Sequence, residues 1–288
     1  MTKLKLVDVN YTYSQGTPFR KDALRNINIE IEDNCITGLI GHTGCGKSTL
    51  VQLLNGLLFP TSGEVIFDGK NIKEKGYDLK GLRHKVGLVF QYPEYQLFEE
   101  TAFADIAFGP KNMGLEKEEI EHRVIETADM LGLKRELLLK SPFDLSGGEK
   151  RRVAIAGVMA MRPDVIVFDE PTAGLDPQGR DLVLAKIKEY RDRTGALVFI
   201  VSHSMEDMAK VSDKLLVMSK GEVVAFDDTE SVFLKRQMLE SIGLNVPQIT
   251  RVFSKLADRG LDIDPGIFTV EDGVKTLVAA LKGGEAHD

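Results

Sequence analysis

The sequence predicts an α/β protein with an antiparallel β region at the N-terminus, a parallel-sheet core into which a helical lobe is inserted, and a small α-rich tail. Three observations carry this. Apolar and polar residues alternate over the first 35 positions; short continuous apolar runs then alternate with helical stretches; and a glycine-rich string follows the first of those runs. Alternation marks half-buried antiparallel strands, whereas unbroken apolar runs bounded by turns mark strands covered on both faces.

In chain order, Leu4, Leu6, Val7, Val9, Tyr11 and Tyr13 nearly alternate, and Ile27, Ile29 and Ile31 alternate cleanly. Val65 and Phe67 continue the pattern up to the turn pair Asp68-Gly69. The continuous runs fall at 36–40, 86–90, 165–168, 197–201 and 215–218. After the first of them, Leu50, Leu53, Leu54 and Leu57 share a helical face. Residues 92–139 lie between two core strands and carry helical patterning with charged faces, Ile120, Val124 and Leu131 forming an apolar one. Beyond the hairpin pair Lys220-Gly221 the tail turns helical, with Ile249, Val252, Phe253, Leu256 and Ala257 on one face and Gly260 as a stop. A last helix is predicted from Thr269, where Thr269 and Asp272 form a capping box ahead of Val274, Leu277, Val278 and Leu281. The expected organisation is a main domain over 1–227, with a helical subdomain at about 92–160 inserted in it, and a small C-terminal domain over 228–288 that supports a dimer.

Composition narrows the function. The 288 residues carry 37 Lys+Arg against 44 Asp+Glu, a formal charge of −7, so no global basic field attracts nucleic acid or anionic lipid. The longest apolar run, 153–161 and broken by Gly157, is far short of the ~20 residues that span a bilayer. The first ten residues lack the apolar core of a secretory signal, and two cysteines, Cys35 and Cys45, form no disulfide framework. A chain that neither crosses a membrane nor is exported is expected.

Directly after the run 36–40 stands Gly41-His42-Thr43-Gly44-Cys45-Gly46-Lys47-Ser48, which fits G-x-x-x-x-G-K-[ST] at every fixed position and is followed by Thr49. Glycines let successive backbone N–H groups turn inward and, with the helix N-terminus behind them, cradle phosphates. Lys47 is placed to reach the β- and γ-phosphates and Ser48 to ligate Mg²⁺. The run 165–168 ends in Asp169-Glu170, at the carboxyl edge where open α/β sheets bind ligands. There Asp169 is expected to hold Mg²⁺ through a water and Glu170 to take a proton from the attacking water. Between these two motifs, Leu145-Ser146-Gly147-Gly148-Glu149 precedes a nearly all-apolar helix and makes a second anion-binding turn. A second copy facing head to tail could use that turn to close over the nucleotide.

The ordered set formed by Gly41 to Ser48, Gln91, Leu145 to Glu149, Asp169-Glu170, Ala173-Gly174-Leu175-Asp176 and His203 resembles the ATP-binding subunits of ABC transporters over about residues 3–227. Its spacings fit: 44 residues from Lys47 to Gln91, 55 from Gln91 to Ser146 and 33 from Glu170 to His203. The resemblance implies an ABC ATPase fold, ATP and Mg²⁺ as ligands, and a nucleotide held between two subunits, so that Leu145, Ser146, Gly147, Gly148 and Glu149 act on the partner's nucleotide. It further implies that Gln91 approaches Mg²⁺ and links the site to the helical lobe, that His203 contacts the γ-phosphate, and that Asp176 communicates across the dimer. Tyr13 looks like the aromatic that stacks on adenine, with Tyr11 and Phe19 as alternatives. Two positions depart from the usual pattern. Glu149 stands where Gln is usual and adds a negative charge expected to weaken closure. Cys45 stands where Ser is frequent, and a thiol at a helix N-terminus is expected to have a lowered pKa and to react with alkylating agents in the absence of ATP.

The string Gly41-His42-Thr43-Gly44, the stretch 92–101 (YPEYQLFEET) and Phe108-Gly109-Pro110 are similar to the ATPases of energy-coupling factor importers of vitamins and of cobalt or nickel ions, as is the tail around 243–248 and 259–261. That resemblance implies a second ABC ATPase, paralogue or self, a transmembrane coupling protein, a membrane substrate-binding protein, no nucleic acid, and a peripheral place on the cytoplasmic face of the membrane. The alternative class, a soluble ABC ATPase acting on ribosomes or DNA, fits less well: there is one module, only 55 residues separate Gln91 from Ser146, and the charge is acidic.

Overall fold

A computed structural model of the chain describes residues 4–31 and 34–284, with side chains as far as residue 280. The expectations that fall on residues 1–3 and 285–288, and on the side chain of Leu281, lie outside the described residues.

Two sheets form the body. Strands β1 (Leu4–Tyr13), β2 (Lys21–Ile31), β4 (Ser62–Phe67) and β5 (Lys70–Asn71) make an antiparallel sheet in the order β2-β1-β4-β5. β3 (Ile36–Gly41), β6 (Val86–Val89), β7 (Val165–Asp169), β8 (Leu197–Val201), β9 (Lys214–Ser219) and β10 (Glu222–Asp228) make the core sheet in the order β10-β9-β3-β8-β7-β6. All its neighbours pair in parallel except β10, which returns antiparallel to β9 through the predicted Lys220-Gly221 turn.

The imperfect alternation at the start has a local cause. Asp8 lies at φ 49°, and the pairing of β1 with β2 slips between Leu6 and Val9. A bulge adds one residue to one strand and resets which side chains face inward. Leu4, Leu6 and Val9 are therefore buried and Val7 is not fully so.

Both faces of the core sheet are covered, as continuous apolar runs require. Along β7, Ile166 and Phe168 join one core and Val165 and Val167 the other; along β8, Val198 and Ile200 separate from Leu197, Phe199 and Val201 in the same way. The second core is closed by the antiparallel sheet and α1 (Lys47–Leu54), with α2 (Leu79–Lys85) contributing Leu82. The first is closed by α3 (Ala102–Asn112), α4 (Lys117–Met130), α5 (Gly147–Met159), α6 (Pro177–Thr194) and α7 (Met205–Val211). Leu57 does not share the face of α1: the helix stops at Leu54 with Asn55 as its cap, and Leu57 is 46% exposed. Asn55 donates a side-chain hydrogen bond to the carbonyl of Val86, which turns the chain away there.

Between β6 and β7 the chain is helical, α3 leading into α4 and α4 being joined to α5 through 3₁₀ turns at Arg135–Leu139 and Pro142–Asp144. After β10 come two short helices that sequence patterning missed, α8 (Thr229–Leu234) and α9 (Arg236–Ser241), then the predicted α10 (Gln248–Asp258) and α11 (Val270–Gly284). Of the capping box expected ahead of α11 one arm forms, the Thr269 hydroxyl accepting from the Asp272 amide at 3.2 Å; the Asp272 carboxylate accepts from that same hydroxyl at 2.7 Å in place of the Thr269 amide. Phe233 and Phe253 are fully buried in this tail, so apolar packing and not helix propensity holds it. Phe253→Ala should cost about 3–5 kcal/mol of stability, the range for emptying a buried aromatic site. Urea unfolding of the full chain checks this, and a loss below about 1 kcal/mol would show that α10 packs less tightly than described.

Candidate nucleotide site

Four neighbouring strand ends build the site. In the parallel ladder Leu39 on β3 pairs with Val201 on β8, and Val201 pairs in turn with Asp169 on β7. Val89 on β6 pairs with Phe168. Gly41 to Ser48, Ser202-His203, Asp169-Glu170 and Phe90-Gln91 therefore all leave the sheet at the same edge, side by side. This is where loops at the carboxyl ends of parallel strands bind ligands.

The glycine-rich loop leads directly into α1. Gly46 sits at φ 111°, and a Cβ there would stand 2.7 Å from the carbonyl of Ala23 on β2, so only glycine fits between the loop and the antiparallel sheet. Gly44, at φ 80°, has open space where a Cβ would be. Lys47 is buried, and its ammonium donates to the carbonyls of Gly41 at 2.6 Å and His42 at 3.2 Å, which pins the amine inside the loop. The His42 ring donates from Nδ1 to the Thr43 carbonyl at 2.9 Å. Ser48 is exposed to the cavity. That cavity, about 250 Å³, is lined by Gly44, Gly46, Lys47, Ser48 and Thr49 on the loop side and by Tyr13, Lys21 and Ala23 on the β1–β2 side. Neither Tyr11 nor Phe19 lines it, and Phe19 is 83% exposed. The Tyr13 hydroxyl and the Thr49 hydroxyl are 3.0 Å apart, and Tyr11 meets the Tyr13 ring edge to face with centroids 4.8 Å apart. Tyr13 is thus fixed from two sides at the mouth of the loop. Lys21, directly opposite Tyr13 in the β1–β2 register, is a lining cation that no sequence motif signalled.

At the other strand ends a largely buried acid, 14% exposed, faces a histidine. Glu170 Oε1 lies 3.3 Å from His203 Nε2, buried and without a hydrogen-bond partner among the described residues. Burial pushes the Glu170 carboxyl up to about 7, helped by the charge of Asp169 and opposed by the His203 backbone amide and by Lys47. Burial also raises the Asp169 carboxyl, with Lys47 opposing. His203 is shifted down, by burial first and then by Lys47, which favours the neutral ring. Lys47 is therefore close enough to act electrostatically on all three groups.

The second glycine turn forms differently from expectation at one position. Ser146, Gly147 and Gly148 are exposed at the N-terminus of α5, but Leu145 is buried and anchors the turn in the core. Glu149 accepts from the Ser146 amide at 2.8 Å and from the Ser146 hydroxyl at 2.7 Å, completing a capping box. Those bonds hold the Glu149 carboxyl below its ordinary value, so the extra charge is fixed as a helix cap. Asp176 likewise caps α6, accepting from the Gly179 amide at 2.9 Å.

Cys45 corrects the expectation of a reactive thiol. It is fully buried, its amide donates to the His42 carbonyl within the loop, and burial pushes the thiol up, although Lys47 pulls the other way. Desolvation outweighs the helix N-terminus because no water reaches the sulfur to solvate a thiolate. Residues that sequence reasoning missed are buried too. Arg151 donates to the carbonyls of Ala173 and Glu170, and the Thr172 hydroxyl donates to Asp207 at 2.8 Å.

The donor set fits a magnesium nucleotide: a loop with room at Gly44, a lysine inside it, an exposed serine hydroxyl and a carboxylate within electrostatic reach of that lysine. Mg²⁺ is commonly held by one or two protein groups plus substrate phosphates.

Residues 24–173 match the family described as ABC transporter. Among curated proteins the chain is 50% identical over 280 residues to the energy-coupling factor transporter ATP-binding protein EcfA2 of Caldanaerobacter subterraneus subsp. tengcongensis, covering 97% of this chain and 98% of that one. It is 52% identical to the EcfA2 of Clostridium perfringens over the same shares. Among solved structures, cbiO1 of Clostridium perfringens, part of the ABC transporter complex cbiONQ, superposes with a TM-score of 0.74 at 37% identity, over 87% of this chain and 98% of that one. The ATP-binding cassette MJ0796, solved as a dimer in a post-hydrolysis state with ADP and Pi, superposes with a TM-score of 0.70 at 28% identity, over 78% of this chain and 98% of that one.

Iodoacetamide should label Cys45 in the native, nucleotide-free chain at least ~10-fold more slowly than in the urea-unfolded chain, because reactivity follows thiolate fraction and access. Peptide-resolved mass spectrometry reads both rates; equal rates would restore the reactive thiol.

Proposed function

The chain belongs to the ATP-binding proteins of ABC transporters, of the energy-coupling factor type, and from that premise we propose that it is the ATP-hydrolysing motor of an importer for vitamins or transition-metal ions. The observation that carries the chemistry is Glu170, a largely buried carboxyl 3.3 Å from His203 at the strand end beside the Lys47 loop.

In this reading the phosphates lie along the amides of the loop 41–48, Lys47 neutralises the β- and γ-phosphates, and Tyr13 stacks on adenine. Ser48 and Asp169, with Gln91 nearby, would hold Mg²⁺, which would supply positive charge to the phosphates. A water between Glu170 and the γ-phosphate gives its proton to the Glu170 carboxylate as its oxygen bonds to phosphorus. The bond from the γ-phosphorus to the β–γ bridging oxygen breaks, ADP takes that electron pair, and His203 contacts the departing phosphate. Neutral His203 can donate one hydrogen bond there without adding a charge.

Ser146 and the glycines after it do not line the cavity at the loop 41–48, so they are available to the nucleotide of a second ABC ATPase, paralogue or self, with Asp176 facing across the same junction. The solved dimer of MJ0796 supports such an arrangement. The helical lobe would relay closure to a transmembrane coupling protein that holds a membrane substrate-binding protein. Tyr95, Phe98 and Phe108 leave apolar surface exposed after Gln91, with Phe98 and Phe108 packed edge to face at 4.9 Å, and such surface suits a partner. No helix among the described residues is long and apolar enough to cross a membrane, which fits a peripheral subunit on the cytoplasmic face. The main domain over 1–227 is taken to do this work and the residues from 228 to support the pairing.

Glu170→Gln should lower hydrolysis at least ~10²-fold while ATP still binds and holds two subunits together, the scale expected on losing a general base. Turnover within a few fold of the parent would remove Glu170 from that role. The base must be ionised to act, and its carboxyl sits at about 7, so kcat/KM should rise with pH and level off above that value. A profile already flat at pH 5.5 would contradict the assignment.

A further inference from the structure

Arg151 stands in the second turn of α5, five residues beyond Ser146, and is only 5% exposed. Among the described residues no carboxylate pairs with it. Its Nη1 donates to the Ala173 carbonyl at 2.7 Å, its Nη2 donates to the Glu170 carbonyl at 3.1 Å, and its Nε is buried without a partner. A buried cation answered only by two backbone carbonyls is a costly way to fill space that a neutral side chain of similar length could fill. Its geometry is specific: a planar fork reaches two carbonyls at once, which a point-like ammonium cannot do.

Those two carbonyls bound a particular turn. Glu170 holds φ 51°, a left-handed conformation unfavourable for a residue with a Cβ, and its own amide is tied to the Val201 carbonyl at 2.9 Å. The Ala173 amide donates back to the Glu170 carbonyl at 3.1 Å, and two residues after Gly174 the chain reaches Asp176, the cap of α6. The Glu170 backbone is thus clamped between β8 and Arg151, and Arg151 is borne by the helix whose first turn presents Ser146.

We propose that Arg151 is a positioning residue for hydrolysis: its guanidinium ties the Ser146 turn to the backbone of Glu170 and of Ala173 in the same chain, so that engagement of that turn by the partner's nucleotide sets the base at this chain's own nucleotide. This deepens the motor reading and rests on Glu170 being the base and on Ser146 acting across the dimer. It gives a direct route between the two nucleotides of a pair, each chain passing the state of one site to the other.

The test uses the full chain purified together with its partners, with Arg151→Lys and Arg151→Met beside Glu170→Gln. Both Arg151 variants should lose about 10- to 100-fold in kcat, the scale of a slightly misplaced group, with ATP KM and the nucleotide dissociation constant within about 2-fold. The parent should show a Hill coefficient for ATP above 1, and both variants should show 1. Turnover within 2-fold of the parent with cooperativity kept would overturn the inference. So would kcat, ATP affinity and melting temperature falling together, or loss of a cooperative melting transition in both variants, since each assigns Arg151 to fold maintenance alone. If Glu170→Gln itself turns over normally, the underlying reading fails; if it is inactive while the Arg151 variants are normal, only this inference fails.

Discussion

The parallel hydrogen-bond ladder that aligns Leu39, Val201 and Asp169 is the constraint on which the rest depends. A slip of one residue in either pairing would turn buried side chains to the wrong face of the sheet and displace one set of functional residues along the strand direction. Close packing on both faces opposes that slip, Ile166 and Phe168 filling one core and the smaller Val165 and Val167 the other. The chemistry is therefore placed by packing remote from it, and the loops need only carry the right residues away from a common edge.

At that edge, charge is balanced by few groups. Among the described residues Lys47 is the one cation that acts on Asp169, Glu170, His203 and Cys45 together, lowering the acids and the histidine while desolvation moves the acids the other way. Two acids next to each other in a partly dry site cannot both ionise freely, and the deeper cost falls on Glu170. A carboxyl poised near neutrality follows from burial and a neighbouring carboxylate, not from the glutamate alone. The strained backbone at Glu170, held by β8 and Arg151, points the same acid toward His203.

Much of this was legible in the sequence, for reasons that differ by element. Unbroken apolar runs gave the core strands because a doubly covered strand has no solvent face to mark with polar residues. The P-loop string and the Asp169-Glu170 pair were readable because their spacing is fixed by phosphate geometry. Residues whose roles depend on the folded environment were not. Cys45 looked activated from its place before a helix, but it is fully buried in the core between the two sheets, which local sequence does not reveal. Glu149 looked like a stray charge until its capping bonds to Ser146 were seen. Nothing in the local sequence marks Arg151, one of three consecutive basic residues, as the buried one. The short helices α8 and α9 were missed because six-residue elements show less than two turns of periodicity.

The claim that this chain drives a membrane importer is tested most directly by purifying it, tagged at native abundance, from gently solubilised membranes and quantifying what co-purifies. The result expected is a stoichiometric set containing a polytopic coupling protein, a small membrane-embedded binding protein and a second ABC ATPase, or twice the amount of this one. Ribosomal proteins or nucleic acid in their place, or this chain alone under conditions that keep other membrane complexes intact, would contradict it.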